Sequence, residues 1–228
     1  MKLAIISDIH DNVWKLEAAL KRIRELKPDA LLCCGDLCSP FVVGLLKRAL
    51  HDEPAGVLVP VHVVFGNNDA DLYRITQQGV ANRMTFYGEV AEFAVEDGKL
   101  RAHKEYVDAQ TKRDHFFGAE NDGKRIAIQH FDYLARPMAA SGKYATVFYG
   151  HNHRHRHERS DTTDVINPGA IMGYDGVNTV NLPSTFAVYE TDTKEVQWFE
   201  VVAVATQKGV VTYDVCDYHL AATEAFEL

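Results

Sequence analysis

The sequence of 228 residues lacks any apolar run of the roughly 20 residues that a membrane-spanning helix needs. Its N-terminal segment becomes acidic at Asp8 and Asp11, too early for the apolar region of a secretory signal peptide. Both absences favour a cytoplasmic protein, and no interaction with a membrane is expected.

Positive charge is also scarce, because 24 Lys and Arg stand against 32 Asp and Glu, which gives a net charge of −8. Proteins that bind nucleic acid broadly neutralise many phosphates with a basic surface, so this class of function is not expected. The deficit does not exclude a small phosphate ester as substrate, because bound dications can reverse the sign of the charge locally.

Cysteine is sparse as well, with four residues and no Cys-x-x-Cys pair. Cys33, Cys34 and Cys38 fall in one apolar stretch and the loop after it, where we expect buried, reduced thiols that behave as small apolar side chains. A disulfide framework is not expected in a chain of this length without a signal peptide.

Apolar runs alternate with helix-length segments in the first part of the chain. Leu3–Ser7, Ala30–Cys34 and Val61–Phe65 are predicted as buried strands, whereas Trp14–Leu26 and Phe41–Leu50 have helical spacing of apolar residues. Strands separated by helices imply βαβ units and a largely parallel sheet.

The second part of the chain is richer in strand signals. Asp97-Gly98 lies between two half-apolar runs and predicts a hairpin. Residues from about 206 have weak periodicity and are compatible with an edge hairpin or a loose tail. One α/β domain with two sheets is the simplest architecture. The further predicted strands are Lys124–Gln129, Tyr144–Tyr149, Thr185–Glu190 and Glu195–Val204.

Five predicted strands are each followed by Asp, Asn or His. In open α/β sheets, ligands gather at the carboxyl ends of the strands. Each motif alone is weak, since Gly-Asp after a strand is usually a turn, but their conjunction predicts a site of oxygen and nitrogen donors for metals such as Mn, Fe or Zn. The residues are Asp8 and His10, then Asp36, then Asn67, Asn68 and Asp69, then His130, then His151 and His153.

These motifs match a family. In order they read SDIHDN, CCGDL, FGNND, QH, GHNH and NPGA, and the sequence resembles the calcineurin-like metallophosphoesterases, in particular their compact bacterial and archaeal phosphodiesterase branch. The resemblance covers roughly residues 1–205. It implies an α/β fold, a four-layer αββα sandwich of two mixed β-sheets flanked by helices. Residues 1–228 would form one domain, with an inserted hairpin segment around 83–123 and a C-terminal extension around 206–228.

The resemblance also implies two divalent metal ions, with Mn favoured and Fe, Zn and Ni as alternatives. It assigns catalytic roles to His10, Asp36 and Asn68. Asp36 should bridge both ions. The remaining ligands should be Asp8, His10 and His153 for the first ion, and Asn67, His130 and His151 for the second.

The sequence departs from the wider family at two positions. Many members have a histidine where this chain has Asn68, and that histidine is thought to protonate the leaving group; Asn is usual in the compact branch. His130 is followed by Phe131, where glycine is common. Asp69 is a poor replacement acid, because a helix N-terminus would favour its anionic form.

The expected function is therefore that of a metal-dependent phosphoesterase, with a phosphodiesterase favoured. A metal-bridging hydroxide would attack a small phosphate ester in line. A phosphomonoesterase or nuclease on the same site is one alternative. Another is a non-catalytic scaffold, since a subunit of the eukaryotic retromer complex shares the fold. A homo-oligomer is compatible with the sequence.

Overall fold

The computed structural model describes residues 1–52, 56–102, 125–160, 162–207 and 210–219. In chain order, the elements are β1 (Lys2–Ile6), α1 (Val13–Leu26), β2 (Ala30–Cys33), α2 (Pro40–Leu50), β3 (His51–Asp52), β4 (Val57–Leu58), β5 (Val61–Val63), α3 (Leu72–Ala81), β6 (Thr85–Phe86), β7 (Val90–Glu96), β8 (Lys99–Ala102), β9 (Arg125–Gln129), α4 (Asp132–Ala140), β10 (Thr146–Phe148), β11 (Arg156–Ser160), β12 (Thr163–Asn167), β13 (Tyr174–Asp175), β14 (Val180–Asn181), β15 (Thr185–Glu190), β16 (Val196–Gln207) and β17 (Val210–Tyr218).

Both large sheets are mixed. The first has the strand order β17-β16-β15-β1-β2-β5-β6. Its strands β1, β2, β5 and β6 pair in parallel, as the predicted βαβ units require, and β15, β16 and β17 add an antiparallel part. The second sheet has the order β11-β12-β10-β9-β7-β8, with β12, β10 and β9 in parallel.

Three apolar clusters hold the layers together. The first lies between α1, α2, α3 and the first sheet, the second between the two sheets, and the third between α4 and the second sheet. Ala4 and Ile6 of β1 face the helices, whereas Leu3 and Ile5 face the second sheet, because side chains alternate along a strand. The predicted αββα sandwich is therefore confirmed.

Helix α1 shows how the sequence fixes the loop that precedes it. Asn12 is the N-cap, and its side-chain oxygen accepts a hydrogen bond from the backbone N–H of Lys15 at 3.3 Å. The apolar stripe that predicted the helix is buried as a whole: Leu16, Ala19, Leu20 and Ile23. The cap and the stripe together hold the end of the β1–α1 loop against the first sheet.

The predicted hairpin at Asp97-Gly98 is confirmed. Strands β7 and β8 pair antiparallel on either side of it, and Asp97 and Gly98 both have positive φ, 49° and 69°, as a type I′ turn requires. The rest of the predicted insertion, residues 103–123, lies outside the described residues.

The C-terminal strands resolve the choice between an edge hairpin and a tail for residues 210–218. Strand β17 pairs antiparallel with β16 and forms the outer strand of the first sheet. Residues 220–228 lie outside the described part. No helix in the described ranges has the length and apolarity that crossing a bilayer requires.

The prediction of buried, reduced cysteines holds in part. All four cysteines are free, and Cys33 and Cys34 are buried, where burial raises the pKa of both thiols. Cys38 is only partly buried and Cys216 is exposed, since Cys38 lies in a loop and Cys216 on the edge strand β17.

Candidate metal centre

The structure brings the side chains of the predicted ligands to one edge of the sandwich. They lie in the loops after β1, β2, β5, β9 and β10, strands that belong to both sheets. Their donor atoms form two adjoining groups. We call them the first donor cluster (Asp8, His10, His153) and the second donor cluster (Asn67, His130, His151).

The first donor cluster points three atoms at a common centre. The Nε2 atoms of His10 and His153 lie 3.1 Å apart. Asp8 Oδ1 lies 3.3 Å from His153 Nε2 and 3.8 Å from His10 Nε2. Asp8 is fully buried, and the three donor atoms lie within 4.8 Å of one another, which is compatible with a single metal ion.

The second donor cluster has an amide oxygen in place of the carboxylate. The side-chain oxygen of Asn67 lies 2.9 Å from His151 Nδ1 and 3.0 Å from His130 Nε2. The two histidine nitrogens are 3.3 Å apart. An amide oxygen and two imidazole nitrogens thus converge on a second point.

Asp36 lies between the two clusters. Its Oδ2 atom is 3.4 Å from His10 Nε2 and 3.4 Å from His130 Nε2, so one carboxylate oxygen faces a member of each cluster. Asn68 binds the same carboxylate twice. Its backbone N–H donates to Oδ1 and its side-chain amide donates to Oδ2, both at 2.8 Å.

Outer contacts set the orientation of two of the rings. His130 Nδ1 lies 2.8 Å from the carbonyl oxygen of Cys34, and His153 Nδ1 lies 2.5 Å from that of Tyr174. A carbonyl only accepts, so each Nδ1 must donate its proton. In the neutral ring, Nε2 then presents a lone pair to its cluster, which is the form that binds a metal.

The charges of the site are balanced between carboxylates and imidazoles. Burial alone would raise the pKa of Asp8, but hydrogen bonds from His10 and His153 outweigh it and hold that pKa below the usual range. At Asp36, His130 and Asn68 likewise outweigh burial and lower the pKa. Burial alone would lower the pKa of His130, but Asp36 and Asp8 outweigh burial, so the pKa of His130 is raised. Because the carboxylates raise the pKa of His130 and His153, binding of a cation is expected to displace protons from these two rings.

The backbone at the site is strained. Five predicted ligands have φ between 45° and 73°, the left-handed region that non-glycine residues rarely adopt. Each such residue costs about 1–3 kcal/mol, and strain of this kind clusters at functional sites. The residues are Asp8, His10, Asp36, His151 and His153.

Asp69 ties two of the loops together, a role that the sequence analysis missed. Its Oδ2 accepts hydrogen bonds from the backbone N–H groups of Gly66 at 2.7 Å and Asp36 at 3.0 Å, and its Oδ1 accepts one from Cys38 at 2.9 Å. The expectation that Asp69 stands at a helix N-terminus was wrong. The N-cap of α3 is Asp71, and burial, aided by the charge of Asp36, raises the pKa of Asp69.

We expect Asp69→Asn to loosen both loops, because an amide group keeps only one of the two accepting oxygens. Hydrogen bonds to a charged group contribute about 1.5–3 kcal/mol, so the free energy of unfolding should fall by about that amount. Metal affinity should fall about 10- to 100-fold, as for other outer contacts. Denaturant unfolding and metal titration measure the two effects. Asp71→Asn is the matched control, because Asn caps a helix as well as Asp; equal results for both variants would contradict the role of Asp69.

Residues 1–194 match the family model described as the calcineurin-like phosphoesterase superfamily domain. The chain belongs to this superfamily. The resemblance of the motifs is thereby confirmed, over 194 of 228 residues.

Relatives within the superfamily support the compact branch. A phosphodiesterase of Methanocaldococcus jannaschii is 26% identical over 188 residues, which are 81% of this chain and 93% of the relative. A solved archaeal phosphodiesterase has a TM-score of 0.63 at 21% identity, covering 87% of this chain and 98% of its own. Wild-type Vps29 of Entamoeba histolytica, complexed with Zn²⁺, has a TM-score of 0.54 at 18% identity over 95% and 99% of the two chains. At identities of 21% and 18%, these two solved structures show that the fold is shared and nothing more.

Proposed function

We propose that this protein is a phosphodiesterase that uses two divalent metal ions. The observation that carries the proposal is the position of Asp36, whose Oδ2 lies 3.4 Å from His10 Nε2 on one side and 3.4 Å from His130 Nε2 on the other. A single anion that faces two donor clusters is suited to bridge two cations. The choice of a diester as substrate is supported by the relative from Methanocaldococcus jannaschii, which is named a phosphodiesterase.

The donor set fits hard or borderline divalent ions. The first donor cluster would hold one ion and the second donor cluster the other, with Asp36 shared. Carboxylate oxygens, an amide oxygen and imidazole nitrogens suit Mn, Fe, Zn and Ni without any thiolate, and we favour Mn. Because the site has only two anionic ligands, Asp8 and Asp36, two divalent ions would leave a surplus of about two positive charges before solvent ligands are counted. Such a site attracts a phosphate ester inside an acidic protein.

The residues of the chain hold and orient the reacting groups. A pair of divalent ions at this site would lower the pKa of a shared water and stabilise charge on the phosphorus oxygens. His130 and His153 are oriented by the backbone carbonyls of Cys34 and Tyr174. Asn68 fixes the bridging carboxylate through two hydrogen bonds to Asp36. We propose that His10 is a metal ligand and, together with a metal-bound water, one of the first two candidates for the general acid.

The test is a substrate panel assayed on metal-stripped protein that is reconstituted in turn with Mn, Fe, Zn and Ni. We expect hydrolysis of phosphodiesters that depends on added metal and disappears with a chelator. Preferential hydrolysis of phosphomonoesters would indicate a phosphomonoesterase, and preferential hydrolysis of polynucleotides would indicate a nuclease on the same site. Bound metal without hydrolysis of any ester would contradict an enzymatic function and favour a scaffold.

Asn68 predicts a strong dependence of rate on the leaving group. An amide does not donate a proton to a departing oxygen, and a positioned general acid contributes about 10²–10⁴-fold to the rate. We expect the rate to fall steeply from a nitrophenyl diester to an alkyl diester at neutral pH. Asn68→His should flatten this dependence, provided that the new imidazole, placed beside Asp36, reaches the leaving oxygen.

The measurement is a plot of rate against the pKa of the leaving group for both proteins. Asn68→Gln is the matched control, since it changes the side chain but adds no acid and should keep the steep slope. A flat plot in the unmodified protein would show that another acid operates, with His10 or a metal-bound water the first candidates.

A further inference from the structure

Two aromatic residues continue outwards from the second donor cluster. The Phe131 ring lies 5.2 Å from the ring of His130 and 5.4 Å from that of His151, measured between ring centroids. The ring of Tyr133 follows at 5.4 Å from Phe131. We call Phe131 and Tyr133 the aromatic row, because they extend in contact from two predicted metal ligands towards the surface.

The aromatic row is open to solvent. Phe131 is partly buried against the two histidines, and Tyr133 is 65% exposed at the first turn of α4. Asp132, between them in sequence, accepts a hydrogen bond from the side-chain amide of Asn152 at 3.3 Å. This contact anchors the start of α4 to the loop between His151 and His153. The rings are therefore presented at a fixed place beside the metal centre.

Core packing does not account for these two rings. Helix α4 packs on the second sheet through Ala135 and Ala139, which contact a cluster that includes Val147 and Val165. Among the described residues, neither Phe131 nor Tyr133 belongs to one of the three apolar clusters.

We propose that the aromatic row is a binding subsite for an aromatic group of the substrate, such as an aryl group or a nucleobase. The inference rests on the proposed function, because the phosphate must be held at the metal centre for its substituent to reach the row. Stacked and edge-to-face ring pairs form at centroid distances of 4.5–7 Å, and stacking tolerates different rings because each has a π-face. The favoured substrates are then diesters with at least one aromatic substituent.

The experiment compares phenyl phosphate with methyl phosphate as ligands of the manganese-loaded protein, by calorimetry. Both carry the same phosphate, so the ratio of their dissociation constants reports only on the substituent and does not depend on turnover. We expect phenyl phosphate to bind about three- to tenfold more tightly. Tyr133→Ala should reduce this preference and leave the dissociation constant of methyl phosphate unchanged. Phe131→Leu should remove most of the preference.

Tyr73→Ala is the matched control, because Tyr73 is 74% exposed near the start of α3 and should not affect the preference. Equal binding of both ligands, or a preference that survives Tyr133→Ala and Phe131→Leu, would overturn the subsite while the phosphodiesterase proposal stands. No binding of either ligand to the metal-loaded protein would also overturn the subsite, because no phosphate anchor would hold the substituent; the phosphodiesterase proposal is decided separately, by metal-dependent hydrolysis of diesters.

Discussion

Replacing Asp36 with asparagine is expected to abolish hydrolysis and to weaken the binding of both metal ions together. The substitution preserves shape but removes the anion whose Oδ2 faces His10 and His130 at 3.4 Å each. A neutral amide does not bridge two cations effectively. The loss of affinity at each ion should exceed the 10- to 100-fold typical of an outer contact. Metal titration followed by calorimetry, together with diester hydrolysis, measures both effects.

His10→Ala is the comparison that distinguishes a bridging residue from a ligand of one ion. His10 contacts His153 and Asp8 of the first donor cluster, so its removal should weaken one ion more than the other. A bridging residue should instead weaken both equally. Equal metal content in the unmodified protein and Asp36→Asn would contradict the bridging role of Asp36.

Gly66→Ala is expected to have a comparable effect without changing any predicted ligand. An ideal Cβ at position 66 would lie 2.3 Å from Asp36 Oδ1 and 2.8 Å from His130 Cε1, well inside van der Waals contact. Asp36 would have to move, and with it the atom that faces both donor clusters. We expect a large loss of metal affinity and activity, and a fall of about 1–3 kcal/mol in the free energy of unfolding from overpacking.

Gly44→Ala serves as the control, because a Cβ there has no atom within 4 Å and the position lies inside helix α2. It should stabilise the protein by about 0.5–1 kcal/mol and leave metal binding unchanged. Activity and metal affinity at the unmodified level in Gly66→Ala would mean that the position of Asp36 is not critical. Metal titration and denaturant unfolding of the two variants decide the question.

Much of the architecture follows from apolar spacing. The stripe at Leu16, Ala19, Leu20 and Ile23 predicted α1, and all four side chains are buried. The run Leu3–Ser7 is apolar on both faces because β1 is covered by helices on one side and by the second sheet on the other. The hairpin turn at Asp97-Gly98 was predictable because few residue pairs adopt positive φ twice in succession.

The convergence of the predicted site residues was also accessible from the sequence, because each follows a predicted strand and parallel strands end at one edge. The contacts that fix the loops could not be predicted from the sequence. Asp69 contacts the backbone N–H groups of Asp36, Gly66 and Cys38, and backbone groups leave no residue-specific signal in a single sequence. The raised pKa of Asp69 was not predicted either, because it arises mainly from burial, and burial depends on tertiary packing.

The aromatic row shows a second limit of sequence reasoning. The replacement of the family's common glycine by Phe131 was visible, but its meaning depends on which rings it contacts. Only the structure shows that Phe131 connects His130 and His151 to the exposed ring of Tyr133. Helix spacing predicts that Phe131 and Tyr133 face different directions within a regular helix; their contact arises because Phe131 is the N-cap and lies outside α4.

The most direct test of the two-metal proposal is anomalous X-ray scattering from crystals of the manganese-reconstituted protein. We expect two anomalous peaks in each chain, both adjacent to Asp36 Oδ2. One should lie among Asp8, His10 and His153, and the other among Asn67, His130 and His151. A single peak, or two peaks away from these side chains, would contradict the two-metal proposal.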